Sequence, residues 1–416
     1  MSALFISDRW PRPLAAFRHG TAQRMRLLMR ALQQACGGPL HLLLLAPHGT
    51  RWGLAEADAL RGDFARLWDV QVGEIRVEVD PKPPQPVMHD LWRGYLRPAT
   101  SLYRQWTYAR MSSAALQDAL HDVLSQTRPT LVFAHRLPAM ALLRRSGRPT
   151  PPVAFDLDDI ESKAFARAVA LPPVWRSKRL QLLQVPALRR MEDWAIRRAA
   201  LTLVCSDADA RELNARCHST RVAAVANAVP TPTVSALPDQ PSVLFLGVHT
   251  YGPNRSGAEW LIQQVWPRVR QRCPQAQLRI AGKDCERIAG FAAPPPGVEF
   301  LGFVLDLAAL YAQTRVVACP IHSGGGTRIK IVEGALQQRP IVSTTLGAEG
   351  LVFSAERGEI VLADAAADFA DALCALLDDP GRCLRLGEAA RRCAMQHYDE
   401  SRVTADAAEK IRAALP

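Results

Sequence analysis

Three consecutive glycines, Gly324, Gly325 and Gly326, stand just before Thr327, Arg328, Lys330 and Glu333. Backbone without a Cβ lets a ligand come close. A helix that starts there directs its free amides and positive dipole end at the same spot, which suits a phosphate. Lys330 near a helix N-terminus opposes the dipole and is best explained by an anion beside it. Glu333, one turn on, has the chemistry to accept two hydrogen bonds from a vicinal diol such as a ribose. At helical spacing Ile329, Val332 and Leu336 form a buried stripe, flanked by Ile331 and Ala335, with Lys330, Glu333 and Gln337 on the opposite face. The alternative is a glycine turn and a surface helix whose Lys330–Glu333 pair contributes about 0.2–0.5 kcal/mol.

The elements that must hold these residues follow from apolar patterning. The runs 316–321 and 340–344 flank the glycine turn and helix, giving a strand, turn, helix and strand. Upstream, apolar strands at 3–7, 41–46, 130–135, 153–156 and 201–206 alternate with amphipathic stretches such as 22–32. Strands at 242–247 and 277–282, with a helix at 257–270, repeat the pattern. This alternation predicts an α/β fold of two doubly wound, Rossmann-like parallel sheets. Ligands in such sheets bind at the carboxyl ends of the strands, so two domains facing each other put the site in the cleft between them. The proline-rich stretch 227–242 reads as the linker. The expected division is 1–230, 240–400 and a last helix, 401–416, that crosses back to the first domain. No GxGxxG follows the first strand, which argues against a nicotinamide cofactor.

The segment P-x-x-x-G-G-G-T-R-x-K-x-x-E followed by P-I-V-S-T-x-x-G-A-E-G-L resembles the donor-site signature of family-4 glycosyltransferases. Residues 245–282 and 298–320 are similar to the opening and the base-binding region of that family's second domain. The likeness is strong over 245–351, weaker over the first domain, and nearest to the branch of bacterial exopolysaccharide and lipopolysaccharide clusters. It implies the GT-B fold, a nucleotide-sugar donor, a saccharide or lipid-linked acceptor, retention of configuration, and neither a cofactor nor a catalytic metal. The implied donor set is Gly324, Gly325, Gly326, Thr327 and Glu333, with Arg328 and Lys330 on the diphosphate and the base near Phe303 and Val304. Asn254 and Arg255 come from the loop after the second domain's first strand, where Arg255 is the sole basic residue. One departure stands out: Gly325 occupies the position where the family usually has a first Glu.

In the first domain the resemblance points to Gly20 and Arg24 in a glycine loop, with Thr21 able to cap the helix. The alternative is an ordinary capped helix with exposed arginines. His135 closes the strand TLVFAH where the family often places a histidine near the transferred sugar, although no neighbour in sequence marks it as a base. VAFDLDDIES invites a metal reading, but Asp158 and Glu161 also fit a capping box with Asp in place of Ser. Asp158 is therefore assigned to the acceptor side and no metal is expected.

Composition agrees with a globular cytoplasmic chain. The 416 residues exceed one core, and nine scattered cysteines without CxxC read as reduced thiols. MSALFISDRW lacks the apolar core of a leader, and apolar runs such as 42–46 are too short to span a bilayer. The net charge of +11 is uneven, with +12 in 1–238 and −1 in 239–416. Stretches 91–110 and 172–198 interleave aromatic and aliphatic residues with Arg and Lys, which suits an anionic membrane surface or simply a solvated face. No nucleic-acid motif accompanies the charge. Two other functions share these features: a nucleotide-sugar epimerase or phosphorylase on the same fold, and a non-catalytic nucleotide-sugar-binding scaffold.

Overall fold

The computed structural model describes residues 1–16, 20–80, 96–101, 106–171 and 176–415. The basic stretches 91–110 and 172–198 therefore lie partly outside the described residues. Two compact units emerge, one of residues 1–226 with 403–416, the other of residues 227–402.

The first unit holds seven parallel strands: β1 (Ala3–Ser7), β2 (Leu40–Ala46), β3 (Val72–Val79), β4 (Leu131–His135), β5 (Val153–Asp158), β6 (Leu201–Val204) and β7 (Val222–Ala224). Their spatial order is β3-β2-β1-β4-β5-β6-β7. Because chain order reverses between β1 and β4, the loops leaving those two strands diverge to opposite sides and open a crevice at their carboxyl ends. β1, β4 and β6 are buried on both faces, as a parallel sheet under helices requires. Phe5 and Phe133 stack across β1 and β4 with ring centroids 5.4 Å apart.

The second unit has six parallel strands: β8 (Ser242–Leu246), β9 (Gln277–Ala281), β10 (Val298–Gly302), β11 (Val316–Cys319), β12 (Ile341–Ser343) and β13 (Val361–Leu362), ordered β10-β9-β8-β11-β12-β13. Its reversal falls between β8 and β11, the strands that lead into residues 247–255 and into the glycine turn.

Residues 227–241, expected to be a linker, are strapped to the second unit by arginines. Buried Arg339 (1% exposed) donates from Nε to Tyr311 O at 3.0 Å and from Nη2 to Ser235 O and Ala236 O, each at 3.0 Å. Arg315 donates to the carbonyls of Pro238, Asp239 and Leu377, and Arg391 to those of Pro232 and Leu336. Proline lacks a donor N–H, so a proline-rich segment offers mainly carbonyls, and a guanidinium fork is suited to collect them. Arg339→Ala leaves several of these buried carbonyls unsatisfied. Each charged hydrogen bond contributes about 1.5–3 kcal/mol, so urea unfolding should show a loss of roughly 3 kcal/mol, little of it restored by Lys.

Candidate functional site

In the second unit three neighbouring strands end in apolar-apolar-Gly: Phe245-Leu246-Gly247, Ile280-Ala281-Gly282 and Phe300-Leu301-Gly302. Gly282 has φ 129°, and a Cβ there would run into the carbonyl of Gly247. The backbones are joined by Gly247 N–H donating to Ala281 O at 3.0 Å and Gly282 N–H to Gly302 O at 2.7 Å. Asn254 fills the space above Gly247, and its amide nitrogen donates to Val248 O at 3.0 Å. That leaves its oxygen to accept from Lys330 Nζ at 2.8 Å. The same ammonium lies 4.2 Å from the centroid of the Phe245 ring.

Lys330 is only 6% exposed, although its position was read from sequence as an open helix face. The helix Ile329–Leu336 is enclosed on nearly all sides, with Lys330, Ile331, Val332, Gly334, Ala335 and Leu336 buried. The surface-pair reading is thereby corrected, since Lys330 is engaged by Asn254 and Phe245. Burial lowers the Lys330 pKa to about 8, with nearby Arg328 adding to the fall and Glu333 opposing it. Burial raises Glu333 to about 7, against the pull of Lys330. Desolvation also takes His249 to about 4.

Arg328 caps the helix and donates back to the carbonyls of Gly325, Gly326 (2.7 Å) and Ser323 (3.0 Å). Its guanidinium thus braces the loop expected to receive phosphate. Gly324, at φ 88°, has Tyr251 Oη where a Cβ would be, so the turn packs tightly on the loop that follows β8. Thr327 Oγ1 accepts from Asn227 Nδ2 at 2.9 Å. Arg255 is half-buried on the helix Gly252–Trp260. Among the described residues, His249 Nδ1, Ser323 Oγ and Arg328 Nε are buried without a hydrogen-bond partner. Such groups call for outside partners. Phe303, beyond β10, is exposed with Lys283 Nζ 5.0 Å from its ring centroid, and Val304 is half-buried beside it. Gly247, Gly282, His249 and Lys283 were not singled out from sequence, though the repeated strand-ending glycines could have marked the first two.

In the first unit, carboxyl ends of the strands carry a buried polar network. Arg24 is 1% exposed and donates from Nε and Nη2 to Asp156 Oδ1 at 2.9 and 2.6 Å and from Nη1 to Val225 O at 2.9 Å. Asp158 Oδ1 lies 3.3 Å from Arg24 Nε, and Asp158 Oδ2 2.5 Å from Arg136 Nη1. Arg24 is thus enclosed in the fold and is not the exposed helix arginine of the alternative reading. Burial pushes Asp156 up despite its arginine, while the two carboxylates outweigh desolvation and hold Arg24 protonated. His135 is fully buried, with Nδ1 2.8 Å from Ser7 Oγ and Nε2 4.0 Å from Asp156 Oδ2. Desolvation, then Arg136 and Arg9, hold its pKa well below the usual value, so it is neutral.

The expected capping box is absent. Asp158 ends β5 with φ 67°, the helix Glu161–Ala170 has Ile160 at its N-cap, and Glu161 accepts from Tyr108 Oη at 2.9 Å. Glu192 serves that helix end instead, accepting from Ser162 N–H and Oγ, each at 2.8 Å. Gly20 begins the helix Gly20–Cys36, and residues 17–19 before it lie outside the described residues. Among the described residues, no three His, Cys, Asp or Glu side chains gather as a metal set would, and no helix is long and apolar enough to cross a membrane.

Residues 240–379 match a family model described as glycosyl transferases group 1. No curated protein matches the chain by sequence. Among solved structures, sucrose-phosphate synthase from Thermosynechococcus elongatus is similar at a TM-score of 0.70 and 14% identity, over 99% of this chain and 98% of that one. Alr3699/HepE of Anabaena, solved with UDP-glucose, gives 0.64 and 15%, over 99% and 100%. A glycosyltransferase from Rickettsia africae gives 0.61 and 9%, over 100% and 98%. The chain therefore has the fold of GT-B glycosyltransferases, two parallel-sheet α/β domains, and its second domain carries a group 1 glycosyltransferase match.

Buried Lys330 and half-buried Glu333 give stability a defined pH dependence. Between pH 4.5 and 7 the folded state keeps a proton at Glu333 that the unfolded chain releases, so this group's contribution falls as pH rises. Between pH 8 and 10.5 the folded state has lost a proton at Lys330 that the unfolded chain retains, so stability gains with pH. Relative to Glu333→Gln, wild type should be most stable below pH 4.5 and lose ground up to pH 7, measured by urea midpoints. A flat difference would mean that the carboxyl sits in water.

Proposed function

We propose that this protein is a glycosyltransferase that moves a sugar from a nucleotide-sugar donor to a saccharide or lipid-linked saccharide. The observation that carries the reading is the buried Lys330 ammonium, held by a neutral amide and a ring beside three glycines and a helix N-terminus. A diphosphate supplies the anion this position lacks, and the loop amides with Lys330 stabilise the charge that grows on the leaving phosphate. Arg328 contributes by fixing the loop. Glu333 takes the ribose hydroxyls, and Phe303 with Val304 line the base. Relatives in fold were solved with UDP or UDP-glucose, which makes a uridine nucleotide the first donor to test.

The resemblance of residues 245–351 extends this to retention by same-face attack without a metal, in bacterial surface polysaccharide assembly. The acceptor belongs to the first unit, where Gly20 and Asp158 stand at strand or helix ends and His135 and Arg24 act from within as positioning groups. Peripheral attachment draws support from the described part of 172–198: Leu182 and Leu183 are 40% and 41% exposed beside Arg176 and Arg179. Cosedimentation with anionic vesicles should weaken as salt rises, since exposed charges are screened over about 8 Å at physiological ionic strength.

A thermal-shift panel of UDP-, GDP- and ADP-sugars tests the donor site, because ligands that bind the native state raise its stability with concentration. One nucleotide class should stabilise the wild type, and Lys330→Met should cut turnover at least tenfold, about 1.4 kcal/mol. Stabilisation with isomerised free nucleotide sugar as the product would replace transfer by epimerisation. Unchanged nucleotide binding in Lys330→Met would remove the donor assignment.

A further inference from the structure

The carboxyl ends of β1, β2 and β3 carry a second constellation that the donor chemistry does not use. Trp10, three residues past β1, and Trp52, six past β2, meet edge to face with ring centroids 5.5 Å apart and planes at 75°. Both are half-buried on loops. The loops are tied together by charge. Arg110 Nη2 donates to Asp8 Oδ2 at 3.2 Å and Nη1 to Asp80 Oδ2 at 3.0 Å, while His48 Nδ1 lies 3.2 Å from Asp80 O.

Asp8 and Asp80 are 8% and 5% exposed, yet among the described residues Oδ1 of each accepts no hydrogen bond. Arg9 Nε lies 3.6 Å from Asp8 Oδ1. A buried carboxylate oxygen without a donor carries a desolvation penalty that a ligand hydroxyl would relieve. Large half-buried indoles on polar loops offer apolar faces that the core does not claim.

We infer that these loops form a pyranose-binding subsite, in which a sugar ring packs its C–H face on Trp10 and Trp52 and its hydroxyls donate to Asp8 Oδ1 and Asp80 Oδ1. Flat apolar rings beside fixed carboxylate acceptors match the two surfaces of a pyranose, one lined by C–H and the other edged by hydroxyls. Arg110 sets the spacing of the two carboxylates and is a positioning residue. The inference rests on the proposed transferase reading only for the sugar's role as acceptor.

The test uses the full chain, labelled and applied to a glycan array carrying hexose, N-acetylhexosamine and uronate termini, with phosphatidylglycerol vesicles as a separate arm. At least one glycan class should bind. Trp10→Ala/Trp52→Ala should weaken it at least tenfold, while the melting temperature and the nucleotide-sugar shift stay at wild-type values. Asp80→Asn, which keeps the shape and can still satisfy Arg110 through its oxygen, should weaken the same glycans. Should Asp80→Asn fail to fold, the exposed-loop Trp variants decide alone. No glycan bound by wild type, glycans retained by the double Trp variant, or Trp-dependent binding to vesicles alone would each overturn the subsite. Glycan binding without any nucleotide-sugar shift would instead overturn the transferase reading and leave the subsite standing.

Discussion

A lysine ammonium shut away from water without a carboxylate against it governs the second unit. Lys330 is held by one neutral oxygen and one aromatic face, and burial lowers its pKa to about 8. Around it the backbone is arranged to make room. Gly247 admits Asn254, Gly282 admits Gly247, and Arg328 draws the glycine-loop carbonyls to itself. A full negative charge beside Lys330 would favour the charged ammonium and offset its desolvation.

The first unit treats buried charge in the opposite way. Arg24 is closed by Asp156, Asp158 is shared with Arg136, and Glu192 is shared between Ser162 and Arg216. Each of these buried charges has a partner within the fold, which fixes strand ends and helix starts. The exceptions are at β1 and β3, where Asp8 and Asp80 share one arginine.

Much of this was legible in the chain. Strand ends and the βαβ alternation follow from apolar periodicity, and the glycine turn with Lys330 follows from residue type and spacing. The surroundings of those residues were not legible. IKIVEGAL reads as amphipathic, but Gly334 brings the helix against Val317, and that closeness encloses the polar face as well. Arg24 and Asp156 are 132 residues apart, and no local pattern pairs them. Asp158 and Glu161 have the spacing of a capping box, yet Tyr108 and Arg136, brought in by the sheet, claim them first. The proline-rich segment has no periodicity, and only the fold shows which arginines bind its carbonyls.

Buried Lys330 and half-buried Glu333 also limit what the proposed site can hold. Glu333 at about 7 and Lys330 at about 8 are both partly charged near neutrality, in a region where each charged form is disfavoured by burial. A ligand with hydroxyls alone would relieve Glu333 and leave Lys330 uncompensated. A free phosphate would do the reverse, and its repulsion would hold Glu333 protonated. Only a ligand carrying an anion and a diol at the separation of one helical turn stabilises both charged forms together. The proposed nucleoside-diphosphate donor would offer this arrangement in its phosphate and its ribose.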